Sequence, residues 1–104
     1  MKVKNMTSSK GDKIANQFII EDSIVRLQGK SMIDTKGDMF QSYDSNIAFI
    51  PCNECIGSVK AYLDSKFWDY SVTTSKYRNL FLNETKKETQ KKIDSGEYKL
   101  VNLN

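Results

Sequence analysis

Between Phe67 and Leu82 the chain reads Phe67-Trp68-Asp69-Tyr70-Ser71-Val72-Thr73-Thr74-Ser75-Lys76-Tyr77-Arg78-Asn79-Leu80-Phe81-Leu82, which holds the single Trp, two of five Tyr and two of five Phe. Tyr70, Thr73, Thr74, Lys76 and Arg78 gather hydroxyls and cations where a helix is expected to begin. Helix-terminal N–H groups and basic side chains together can hold a phosphate or carboxylate. The competing reading is structural. Asp69 and Ser71 cap the helix by accepting its orphan N–H groups, and Trp68 anchors the core, because a small domain needs its largest rings inside.

A second group is Lys86, Lys87, Lys91 and Lys92, which make a helix basic over most of its circumference, with Ile93 as its anchor. Glu88 and Lys92 stand at i,i+4 spacing, so the bland reading is a solvated, self-paired helix. The functional reading is a handle for nucleic acid or an acidic protein surface, with salt-dependent binding.

Cys52-Asn53-Glu54-Cys55 is a lone Cys-x-x-Cys. Structural zinc takes four ligands, and the chain has no second pair and no histidine. A redox dithiol opens a helix in a βαβ setting, whereas this pair falls in a loop, so reduced, non-functional thiols are expected, with an intersubunit metal or disulfide as the alternative. The absence of histidine removes the commonest general base and every Ser-His or Cys-His nucleophile. Carboxylate pairs such as Asp64 with Asp69 or Glu84 with Glu88 have no spacing that selects them for catalysis, and the five glycines are scattered. No catalytic residue, cofactor or metal site is expected.

The 104 residues can close one core, and a composition 38% hydrophobic and 28% charged is that of a globular chain. No run approaches the roughly 20 apolar residues of a membrane span, and the Lys-rich start lacks the apolar run of a secretory signal. Two cysteines do not make a disulfide scaffold, so a cytoplasmic location is the default expectation. Net charge is +3, distributed as +3 over residues 1–13, −3 over 14–57 and +3 over 58–104. That pattern suits charge-complementary partners and falls short of a dedicated duplex-DNA binder.

The elements that must position these side chains follow from periodicity. Residues 1–13 are polar and aperiodic and are expected to be a flexible basic lead, with 14–104 a single domain. Phe18-Ile19-Ile20 and Ile24-Val25-Arg26-Leu27 are strand-like. Gly29 and Gly37 punctuate a polar middle around Met32 and Ile33. Met39–Tyr43 and Ile47–Ile50 flank a turn at Asp44-Ser45-Asn46, and Pro51 ends the second strand. Ser58–Leu63 alternates, with Val59, Ala61 and Leu63 on one side.

The period then changes. Tyr77, Leu80 and Phe81, with Thr73 and Thr74, fall on one helix face, and Asn83 stands where a left-handed terminator belongs. Thr85 and Glu88 have capping-box spacing for a second helix, Gly96 closes it, and Glu97–Val101 is a final strand. The expected class is α+β: a small antiparallel sheet of about five or six short strands, with two consecutive helices near the C-terminus.

Four stretches carry a resemblance: Ala15–Phe18, Phe40–Ala48, Val59–Leu82 with its Trp68-Asp69-Tyr70-Ser71 and Lys76-Tyr77-Arg78 strings, and Glu84–Asn104. The chain resembles an uncharacterised family of small bacteriophage and mobile-element proteins of around a hundred residues. It departs from that pattern in residues 21–37 and 51–56, which look like insertions, and at Asn83, where the family often has Gly. The resemblance implies a phage or plasmid origin and a common fold, and it supplies no activity.

Proteins of that class lacking catalytic constellations act stoichiometrically. The expected function is therefore binding to a host protein or protein–nucleic-acid complex, for example as an inhibitor of a defence system such as a CRISPR effector, with no membrane partner. The favoured partner-binding residues are Tyr70, Thr73, Lys76, Arg78, Lys86, Lys87, Lys91 and Lys92. The alternative is direct nucleic-acid binding, with Phe40 and Tyr43 available for stacking.

Overall fold

Alternation and turn chemistry in the first two thirds of the chain yield strands, and the helical period that follows yields two helices. The computed structural model describes residues 2–27, 33–52 and 59–104. In chain order the elements are β1 (Lys2–Thr7), β2 (Lys13–Leu27), β3 (Ile33–Ser42), β4 (Ser45–Pro51), β5 (Ala61–Asp64), α1 (Val72–Leu82), α2 (Lys86–Ser95) and β6 (Tyr98–Val101). The described residues form one six-stranded sheet in the order β1-β2-β3-β4-β5-β6. The first five strands pair antiparallel as a meander, and β6 returns through the helices to lie parallel to β5. The fold is α+β, with a mixed sheet. The parallel pair exists because the α1–α2 crossover supplies the long connection that parallel neighbours require.

The meander departs from ideal pairing in ways that place side chains. Between Phe40↔Ala48 and Gln41↔Asn46 the register skips Ile47. This bulge lets Ile47 and Ala48, consecutive in sequence, both enter the same core cluster. A second irregularity at Glu21 and Asp22 joins what read as two strands into one long β2, with Asp22 at φ 55°. The β3–β4 turn is tighter than expected: Ser42 pairs with Ser45, leaving Tyr43 (φ 55°) and Asp44 at the tip. Gly37 is required where β3 meets β4, since a Cβ there would stand 2.2 Å from the Ile50 carbonyl oxygen and 2.8 Å from the Phe49 ring.

Lys2–Thr7 is a paired strand where the composition predicts a flexible lead. Lys4 pairs with Ile19 and Asn5 with Phe18 across the β1–β2 ladder, and Met6 is buried in the core. The reason is long-range: one buried Met and a paired backbone fix a strand whose composition looks solvated.

The sheet has two apolar faces. Towards the helices lie Phe40, Ala48, Ala61, Leu63 and Tyr98, with Met6 and Ile47, and against them pack Trp68, Tyr77, Phe81, Leu82 and Ile93. Phe40 stacks on Phe81 with ring centroids 5.6 Å apart. Phe40 is fully buried while Tyr43 is half exposed, so Phe40 is core and not a stacking platform for bases. The opposite face buries Met39, Phe49 and Leu103, flanked by Ile20, Val25, Tyr62 and Val101. The chain end is held on this side by Asp64, whose Oδ1 accepts from Leu103 N–H (2.8 Å), and by reciprocal bonds between Asn46 and Asn104.

Both helix starts form as the sequence indicates. The Ser71 hydroxyl accepts from Thr74 N–H, and Thr85 and Glu88 make a reciprocal capping box. Asn83 (φ 56°) and Gly96 (φ 86°) close the two helices in the left-handed region. The buried face of α1 is Thr74, Tyr77, Arg78 and Phe81, whereas Leu80 and Thr73, expected on that face, point to solvent. The readings at Gly29, Met32, Cys55 and Ser58 lie outside the described residues. No described helix is long and apolar enough to cross a membrane.

Candidate functional site

The turn after β5 and the first turn of α1 converge on Asp69. Its Oδ1 accepts from the Ser75 hydroxyl (2.8 Å) and stands 3.4 Å from Arg78 Nη1, while its Oδ2 pairs with Lys86 Nζ at 2.7 Å. A carboxylate expected to cap a helix therefore ties α1 to the start of α2. Burial opposes ionisation of Asp69. The hydrogen bonds from Lys86 and Ser75, with the charges of Lys86 and Arg78, outweigh it and hold the carboxyl below its ordinary range.

Arg78 is the correction to the expected patch. It is fully buried, not partner-facing. Nη1 donates to the Trp68 carbonyl (2.5 Å), Nη2 donates to Asn79 Oδ1 (3.0 Å), and the guanidinium lies 5.1 Å from the Trp68 ring centroid. Desolvation lowers its pKa from the usual arginine value, but arginine titrates so high that the group stays charged. The guanidinium thus ties Trp68 and the turn that follows it to α1. A second anchor of α1 is the buried hydrogen bond between Ser42 Oγ and Thr74 Oγ1, at 3.0 Å.

With Arg78 inside, the remaining residues sort into distinct places. Tyr70, Lys76 and Lys86 line one shallow cleft of about 660 Å³, together with Asp69, Ser71, Val72, Ser75 and Asn79. Its rim is amphipathic: Tyr70 is half exposed, Val72 is 89% exposed, and Lys76 stands over the Tyr77 ring at 5.3 Å. Thr73 is exposed on α1 outside the cleft lining. Lys87 and Lys91, one turn apart, are exposed on α2 and make no ion pair among the described residues.

Lys92 does not join them. It lies 3.1 Å from Glu84 Oε2, whose carboxylate also accepts from the Tyr98 hydroxyl. The Glu84 side chain is 2% exposed. Burial and the adjoining carboxylate push the Tyr98 phenol well above its ordinary range. This trio, which joins the α1–α2 linker, α2 and β6, was not visible in the sequence, because its members are local neighbours only after the crossover closes. Asp64, weighed as one of a carboxylate pair, is committed to backbone N–H groups of Lys66, Phe67 and Leu103. Among the described residues no cluster of three or more Cys, Asp or Glu side chains is placed to hold a metal ion.

A family model matches residues 1–97, described as a family of unknown function, DUF8033. The chain belongs to that family. The match takes in β1 through α2 and so includes the Asp69–Arg78 hub, the cleft and the capping box. Neither the curated proteins nor the solved structures contain a match to this chain.

Proposed function

We propose that this DUF8033 protein acts by stoichiometric binding, as a mobile-element accessory protein that occupies an acidic surface of a host protein or protein–nucleic-acid complex. A defence effector of the CRISPR kind is the target class that the sequence resemblance suggests. The observation that carries the reading is the division of labour among its polar groups. Asp64, Asp69, Arg78, Glu84 and Tyr98 are spent on holding the fold. Tyr70, Val72, Lys76, Lys87 and Lys91 face solvent, and among the described residues the three lysines make no ion pair. An exposed aromatic beside an aliphatic rim and several cations has the make-up of a protein-binding surface.

Direct nucleic-acid binding is weaker as a reading, because of the two rings expected to stack on bases Phe40 is fully buried, which leaves the half-exposed Tyr43 by itself. The test combines target inhibition with charge reversal. The purified protein is added to a CRISPR effector's cleavage reaction, alongside a Lys87→Glu/Lys91→Glu variant and a Tyr70→Ala variant. Inhibition at equimolar protein, weakened at least about tenfold by either variant without a change in melting temperature, is the expected result. Tight, salt-sensitive gel shifts of naked single- or double-stranded nucleic acid would replace this reading with the nucleic-acid one.

A further inference from the structure

β1 is one of the two edge strands of the sheet, and beside it a groove of about 390 Å³ opens between the strand and α1. Lys4, Asn5, Met6, Thr7, Ile19 and Leu80 line it. The floor is apolar, from Met6 and Ile19, and Leu80 overhangs it while 57% exposed. Strand alternation places Lys2, Lys4 and Met6 on the helix side, and Val3 (57% exposed) with Asn5 on the other. An edge strand beside an apolar groove is the arrangement that accepts an extended peptide as one more strand. Main-chain hydrogen bonds supply affinity there, and alternate side chains supply specificity.

The geometry points to β1 as a docking edge for an extended acidic segment of a partner protein, a surface separate from the cleft at Tyr70. The charge argument selects this occupant over a second copy of the chain. If two copies paired β1 to β1 antiparallel with their helices on one side, the fuller registers would set Lys4 against Lys4 or Lys2 against Lys4. Like charges directly opposite destabilise a ladder, and lysines on an edge are a common device against self-pairing. The surrounding field is also basic: residues 1–13 carry four lysines against Asp12. Lys4 already meets Glu21 at 2.5 Å, but both side chains are partly exposed. A pair of that kind is worth little, so Lys4 can be shared with an incoming carboxylate.

The register specifies the ligand. A strand antiparallel to β1 places an apolar residue opposite Met6 under Leu80, carboxylates opposite Lys4 and Lys2, and a β-branched residue opposite Val3. The probe is thus a blocked peptide Leu-Thr-Glu-Val-Glu, with Leu-Thr-Lys-Val-Lys as its counterpart. Titrated into isotope-labelled protein, the acidic peptide is expected to shift the β1 amides and the Leu80 and Ile19 methyls, with millimolar or tighter affinity, about 1 mM. That affinity should fall several-fold between about 50 and 300 mM salt. Leu80→Glu should weaken it at least about tenfold at an unchanged melting temperature, and Lys2→Glu should move the preference towards the lysine peptide. The proposal is overturned if neither peptide shifts β1 at about 5 mM, if both bind equally, or if the shifts map to Tyr70 and α2. Concentration-dependent dimerisation through β1 would overturn it as well, by giving the edge to a second copy.

Discussion

Replacing Arg78 by alanine separates a structural role from a partner-facing one. The guanidinium is inaccessible to solvent, whereas Asp69 is 27% exposed, so water partly screens that one contact. Alanine removes the donors to the Trp68 carbonyl (2.5 Å) and Asn79 Oδ1 (3.0 Å), the 3.4 Å contact with Asp69, and the group packed on the Trp68 ring. A hydrogen bond to a charged group contributes about 1.5–3 kcal/mol. Breaking a buried ion pair by deleting one partner costs about 3–5 kcal/mol. Asp69 keeps Lys86 and Ser75, which pulls the total towards the lower end, while the void left against Trp68 pulls it up. The expected loss is about 3–5 kcal/mol, at least about a fifth of the roughly 5–15 kcal/mol by which a domain of this size is stable.

Urea unfolding followed by circular dichroism measures this loss, and Trp68 fluorescence reports on the site itself. Arg78→Lys keeps the charge and loses the planar fork, so an intermediate loss of about 1–3 kcal/mol is expected. A destabilisation below about 1 kcal/mol for the alanine variant would refute the reasoning, since it would mean that water or a neighbour satisfies the Trp68 carbonyl without the guanidinium.

The other predictions concern single contacts. Asp69 has a folded pKa below its unfolded value, so its contribution is present at neutral pH and is lost as pH falls from about 4 through the folded pKa. Urea midpoints measured from pH 6 downwards should decline less steeply in Asp69→Asn than in the native protein. Gly37→Ala forces a Cβ to within 2.2 Å of the Ile50 carbonyl oxygen, and should lower stability by about 3 kcal/mol or more, read from the thermal midpoint. Tyr98→Phe leaves the Glu84 carboxylate buried with Lys92 alone, and should cost about 1–3 kcal/mol in the same assay. Deleting residues 1–7 exposes Ile19 and removes the buried Met6, so a loss of about 2–5 kcal/mol is expected in urea, against none for a flexible lead.

What was legible in the sequence shares one property: the signal and its consequence lie within a few residues of each other. Ser71, Thr85 with Glu88, Asn83 and Gly96 each act on backbone groups at most three or four positions away, so their chemistry identifies the helix ends without knowledge of the fold. Alternation in Ala61–Leu63 and the Phe40–Ala48 hairpin works in the same way. The misplaced elements depend on distant partners. β1 is a strand because β2 pairs with it and the core takes Met6, while its own composition argues for solvent. Leu80 is exposed although its spacing from Tyr77 fits the buried face, because α1 turns Arg78, and not Leu80, towards Trp68.

Arg78 shows why the candidate site was the hardest part to read. Arginine is almost never fully buried unless paired, so residue type alone sends it to the surface. Its burial depends on four acceptors converging at once: a carbonyl ten residues back, a carboxylate nine residues back, the Ser75 hydroxyl one turn back, and the amide oxygen of its neighbour. No periodicity encodes that convergence, because the turn from Asp64 to Ser71 that brings Trp68 and Asp69 to α1 is itself held by Asp64, which accepts from Lys66 and Phe67 N–H within the turn and from Leu103 N–H beyond β6. Removing one cation from the expected patch also changes what the patch can bind. Without Arg78 the cleft loses the fork that would have gripped a phosphate bidentately. The exposed face is left with an aromatic ring, aliphatic side chains and lysines acting as point charges, a composition that suits an acidic protein surface better than a phosphate.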